Sequence, residues 1–145
     1  MANFCFVDRN GGPVSVKFTA TNGLRAHVRC GLFDLSTNQP TPIPNDNHDG
    51  PTGAGGEITF ILNTPVAQFQ GKGFAWRNEA CLQIPGTEKA SFKVEFFQDG
   101  TKLEIKGQST YTGKYTSCPD GTTQQKGQYE FAFTNLQINE LWTLL

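Results

Sequence analysis

The stretch Ser91-Phe92-Lys93-Val94-Glu95-Phe96-Phe97-Gln98-Asp99-Gly100-Thr101-Lys102-Leu103-Glu104-Ile105-Lys106 reads as two short strands around a tight turn. Asp-Gly between alternating apolar residues is the strongest short-range hairpin signal, because the favoured two-residue turn needs φ > 0 at both central positions. That turn sets Phe96 opposite Leu103 and Val94 opposite Ile105, so every apolar residue except Phe97 shares one face. The same register sets Glu95 against Glu104 and Lys93 against Lys106. The diagonal pairs of opposite charge offset that cost, and a slip by one residue would turn charges into the core. The hairpin is expected to show a charged outer face to solvent.

Working outward, the same period of two recurs. Asn3 to Val7 reads as a first strand, and Asp8-Arg9-Asn10-Gly11-Gly12-Pro13 as the turn of a hairpin to Val14 through Ala20, where Val14, Val16 and Phe18 alternate with polar residues. Asn22-Gly23 turns the chain again, and Leu24, Ala26, Val28 and Cys30 alternate with the basic stripe Arg25, His27 and Arg29. Glu57 to Asn63 is a dense apolar run of the kind covered on both faces. Gln68 to Ile84 reads as one or two strands broken near Gly71 and Gly73 and closed by Pro85-Gly86, and Tyr129 to about Thr134 as a late strand. In the tail, Ile138, Leu141, Trp142 and Leu145 suit either a short amphipathic helix or a final strand.

The fold class that follows is all-β, a single antiparallel β-sandwich or jelly-roll domain spanning 1–145. The length of 145 residues suits one domain. Twelve Phe against a single Met make an aromatic core that favours pleated sheet.

Charge and hydropathy narrow the partners. A formal net charge of -1 lacks the positive field that gathers a polyanion, so nucleic acid is not an expected partner. No apolar run approaches the length of about 20 residues that spans a bilayer, and the opening residues lack a signal-peptide pattern. The chain as given is expected to be soluble, in either a cytoplasmic or a secreted setting. Cys5, Cys30, Cys81 and Cys118 contain no C-x-x-C pair, which argues against a zinc ribbon or a thioredoxin-like motif. Buried thiols are the first expectation for Cys5, Cys30 and Cys81, and one or two disulfides the alternative.

Residues 38–56 differ in kind. Pro40, Pro42, Pro44 and Pro51 surround a polar run, Gly53, Gly55 and Gly56 follow, and the stretch reads as a long loop. Within it Asn45-Asp46-Asn47-His48-Asp49-Gly50 alternates oxygen-bearing side chains before a glycine, as calcium loops do. The twelfth position, where a bidentate Glu belongs, is Gly56, with Glu57 one place late. Solvated turn chemistry is the primary reading, with no cofactor, and the calcium alternative assigns Asp46, Asn47, Asp49 and Glu57 as ligands.

The second candidate is Trp76-Arg77-Asn78-Glu79. An indole can stack on a sugar ring, while Arg, Asn and Glu supply the paired donors and acceptors that hydroxyls require. Trp76 with Glu79 three places on is similar to a fragment of the galectin pattern, which implies a sugar site at those two residues. The His, Asn and Arg set of that family is absent from the preceding strands, and the Arg expected two places after Glu79 is Cys81, so only Trp76 and Glu79 carry over.

A non-enzymatic, lectin-like module is therefore expected, with carbohydrate held by Trp76, Arg77, Asn78, Glu79 and His48. The alternative is a structural subunit that self-associates as a homo-oligomer through a sheet edge or the apolar tail. A small hydrolase or inhibitor ranks third, because His27 and His48 are the only histidines and no local catalytic motif accompanies either.

Overall fold

The computed structural model describes residues 3–21, 24–36, 38–52, 56–82, 91–112 and 140–144, some of them near strand ends by backbone alone. The strands are β1 Asn3–Val7, β2 Val14–Ala20, β3 Leu24–Asp34, β4 Thr41–Pro51, β5 Glu57–Ile61, β6 Lys72–Leu82, β7 Ser91–Gln98, β8 Thr101–Lys102, β9 Ile105–Lys106, β10 Thr110–Thr112 and β11 Glu140–Leu144. A single turn of 3-10 helix, Val66–Gln68, precedes β6. They form a six-stranded sheet in the order β4-β3-β6-β11-β1-β9 and a five-stranded sheet in the order β10-β7-β2-β5, with β8 beside β7. The all-β sandwich class expected from the period of two is what the chain adopts.

Alternation builds the space between the sheets. Val14, Val16 and Phe18 of β2, and Phe92, Val94 and Phe96 of β7, are fully buried, as are Ala26, Val28 and Leu32 of β3 and Phe74 of β6. The centre is aromatic: Phe18 has the rings of Phe60, Phe74, Trp76 and Phe92 within 6.5 Å. Such ring pairs add about 0.5–1.5 kcal/mol each beyond the area they bury. A second group gathers around Trp142, whose ring lies 4.7 Å from Phe69 and 5.1 Å from Phe96.

The hairpin at Asp99-Gly100 forms as read, with φ of 52° and 76° at those residues and with Phe97 opposite Lys102 and Gln98 opposite Thr101. Leu103 donates its N–H to the Phe96 carbonyl at 2.8 Å, and there the pairing stops. Ile105 and Lys106 leave for the other sheet, where they pair with Cys5 and Phe4. The expected facing of Val94 with Ile105, and the like-charge pairs beyond it, do not occur. Instead β10 takes that place, with Thr110 opposite Lys93. Crossing lets Ile105 pack against the core from the opposite sheet.

Four further expectations are corrected. The first two strands are no hairpin, since β1 belongs to the six-stranded sheet and β2 to the five-stranded one. A buried glutamine holds that crossing: Gln98 accepts from the Asp8 N–H at 2.9 Å and donates to the carbonyls of Asp8 and Gly12. Most of residues 38–56 is strand rather than loop, because β4 lies at the sheet edge, where Pro42, Pro44 and Pro51 need not donate to a second neighbour. The run from Glu57 is an edge strand with Ile61 62% exposed, not one covered on both faces. Gly71 and Gly73 do not divide the strand before Leu82: Gly71 turns the chain at φ 77° just ahead of β6, which then runs unbroken.

The tail resolves as a strand, β11, parallel to β1 and antiparallel to β6 between them. Self-association through this tail is therefore excluded for Trp142, which is 5% exposed within the protein. The predicted strand at 129–134, the turns at Asn22-Gly23 and Pro85-Gly86, and Leu145 lie outside the described residues. Among the described residues no helix is long and apolar enough to cross a membrane. Because Trp142 seals one end of the core, Trp142→Ala is expected to lower the unfolding free energy by about 3–5 kcal/mol in urea titrations. A loss below about 1 kcal/mol would show the tail strand to be dispensable.

Candidate functional site

Apart from Glu57, which starts β5 in the other sheet and pairs with Lys17, the residues singled out in the sequence fall on adjacent strands, and alternation divides them between the two faces of the sheet. Along β6, Trp76 and Asn78 point into the sandwich and are buried, while Arg77 is half-buried on the outer face. Trp76 packs at 6.0 Å from Phe18 and 5.4 Å from Phe92, so its ring is core and cannot lie against a sugar. That corrects the reading of Trp76 as a stacking platform, and with it the galectin-like fragment. Asn78 is corrected likewise: it is fully buried, and neither end of its amide finds a partner among the described residues. The side chain of Glu79 is outside the described part, although its backbone stands opposite His27.

Strand β4 splits in the same way. Its register against β3 jumps between Gly31 opposite Asn47 and Phe33 opposite Pro42, so residues 43–46 bulge from the ladder. Ordinary alternation carries Asp46 to the inner face with His48 and Gly50, while Asn47 and Asp49 stay on the outer one. Gly31 is required beneath Asp46, because a Cβ there would come within 2.8 Å of the Asp46 carbonyl oxygen. Asp46 is fully buried and accepts from the Asn63 N–H at 2.6 Å, the Thr64 N–H at 2.7 Å and the Thr64 hydroxyl. His48 Nε2 lies 3.1 Å from the same carboxylate, and its ring packs on Phe60 of β5 at 5.4 Å. Asp46 thus clasps the edge strand of one sheet to the chain leaving the edge strand of the other.

This placement divides the residues named for calcium between the two faces of β4. Asp46 is turned inward and already satisfied, whereas Asp49 lies on the outer face with His27 and Arg29. An extended strand cannot wrap both around one ion. Among the described residues no group of three or more His, Cys, Asp or Glu side chains is placed to hold a metal. His48 is corrected as a ligand-binding residue in the same sense, being mostly covered and engaged with Asp46.

Cys5 and Cys30 are buried as thiols, while the side chains of Cys81 and Cys118 are outside the described part. Cys30 stands opposite both His48 and Trp76. Burial, then the nearby carboxylates of Asp46 and Asp49, push its thiol well above the ordinary range. It therefore stays protonated and is a poor nucleophile.

What the fold brings together is an outer-face patch on β4, β3 and β6. One cross-strand row reads Asp49, Arg29, Arg77, and the next reads Pro51, His27, Glu79. Asp49 ties the patch: one oxygen contacts His27 Nε2 and the other lies 3.4 Å from Arg29 Nε. In the row on the other side Asn47 faces Gly31, and its side-chain oxygen lies within 2.9 Å of where a Cβ would stand on that glycine. The sequence placed Arg29 in a basic stripe and His27 both there and in the hydrolase alternative. Their pairing with Asp49 depends on the β3/β4 register, which the prolines of β4 conceal.

No protein-family model matches the chain, and neither a curated protein nor a solved structure matches it.

Asp46 governs the acid stability of this region. Burial alone would raise its pKa, but hydrogen bonds from the Thr64 hydroxyl, the Asn63 N–H, His48 and the Thr64 N–H together hold it below the ordinary carboxylate value. A carboxylate depressed on folding contributes stability that is present above its unfolded pKa of about 3.9 and lost as pH falls through the folded value. Asp46→Asn is expected to cost about 1–3 kcal/mol at neutral pH, because it leaves a donor facing donors. It should also flatten the loss of stability below about pH 4. Equal acid limbs for both proteins in pH-dependent unfolding would refute this role.

Proposed function

We propose that this protein is a non-enzymatic binding module that takes a carbohydrate on the outer face of β4, β3 and β6. The observation that carries the reading is the row Asp49, Arg29, Arg77, with His27 beside it. Adjacent carboxylate oxygens and guanidinium N–H groups match the vicinal hydroxyl pairs of a sugar, which donate and accept at once. Contacts with Asp49 hold Arg29 and His27 in position before any ligand arrives, so less side-chain entropy is lost on binding. The strands beneath are anchored by the aromatic core, which supports a stiff platform.

A glycan array probed with the wild-type protein, Arg77→Ala and Asp49→Ala tests the reading. Binding should fall by about tenfold or more in both variants, about 1.4 kcal/mol or more, with the unfolding midpoint of Arg77→Ala unchanged. Full retention by both variants would remove this face as the site.

A second reading, self-association, is favoured by one observation: Ile61 is 62% exposed on β5, an edge strand. Such an edge can pair with a second copy. Light scattering of wild-type and Ile61→Lys protein tests it, a concentration-independent monomer for the wild type being the adverse result.

A further inference from the structure

Two arginines face each other directly across β3 and β6, Arg29 opposite Arg77. Like charges in that position repel, and sheets ordinarily avoid the arrangement. Asp49 neutralises Arg29 from the far side and is shared with His27. Arg77 has no ion pair or hydrogen bond among the described residues, although it is half-buried. Among the described side chains this face holds Arg29 and Arg77 against Asp49. The cationic excess thus gathers on the outer face of a chain whose formal net charge is -1.

From this we infer that the ligand is an acidic sugar whose anionic oxygens bridge Arg29 and Arg77. The inference rests on the carbohydrate reading and narrows it to one substrate class. Guanidinium groups are suited to the task, since each offers a planar fork of N–H donors to a carboxylate or sulfate. The bridging anion removes the repulsion between the arginines, while Asn47, across from Gly31 and two residues along β4 from Asp49, is left for neutral hydroxyls.

Carboxylate and sulfate share this chemistry, so the test uses both. Titration calorimetry at one fixed ionic strength compares oligogalacturonate, its methyl ester, dextran sulfate and plain dextran, with Arg77→Gln, Arg77→Lys and Lys102→Gln beside the wild type. Lys102 is a charge control on the other sheet, 62% exposed. The expected result is tighter binding of at least one anionic polymer than of its neutral counterpart, by about tenfold or more, about 1.4 kcal/mol or more. Arg77→Gln should abolish that preference, Arg77→Lys should keep part of it, and Lys102→Gln should leave it intact. Urea unfolding midpoints confirm that each variant is folded.

Equal binding of acidic and neutral polymers overturns the inference and leaves the carbohydrate reading standing. Equal loss in Arg77→Gln and Lys102→Gln reduces the effect to bulk charge and overturns it as well. If no polymer binds and the glycan array is also blank, both the inference and the carbohydrate reading fail.

Discussion

The structure depends on the aromatic contact between the sheets. Phe18 of the five-stranded sheet meets Phe74 and Trp76 of the six-stranded sheet, and Phe92 stands beside it. Large rings at these positions leave one orientation for β6, because side chains on a strand alternate and a shift by one residue would bury Arg77 in place of Trp76. Burying an unpaired guanidinium costs far more than any repacking could return. The core thereby determines which residues of β6 are available at the surface.

That constraint extends to β3 and β4 through register. Cys30 shares the inner face with Trp76, so Arg29 and His27 must face outward with Arg77. Alternation along β4 separates two carboxylates that are close in sequence. Asp46 turns in to clasp the sheet edges, and Asp49 stays out to order the basic residues. Two jobs that looked like one ion site are thus divided between stability and surface chemistry.

Buried polar groups take the place of hairpins in tying the sheets at several crossings. Gln98 holds the passage from β1 to β2, and the Asn3 amide holds Gln108 by donating at 2.7 Å to its carbonyl and accepting from its N–H at 3.0 Å. Thr21 and Ser91 join the chain leaving β2 to the start of β7. Each of these side chains answers backbone groups that a ladder would otherwise satisfy, which is the accounting a buried crossing requires.

The sequence by itself determined the alternating inner faces of β1, β2, β3 and β7, and it specified the turn at Asp99-Gly100. Period-two alternation and positive φ are local properties that need no knowledge of partners. It did not determine where Ile105 goes, that β11 lies between β1 and β6, or that the proline-rich stretch is an edge strand. Those depend on which sheet offers unburied apolar surface and unpaired backbone. The candidate site follows the same division. Arg77 and Asp49 were legible as polar residues in a suggestive place, but their separation from Trp76 and Asp46, and their meeting with Arg29 and His27, exist only once the tertiary register aligns three strands.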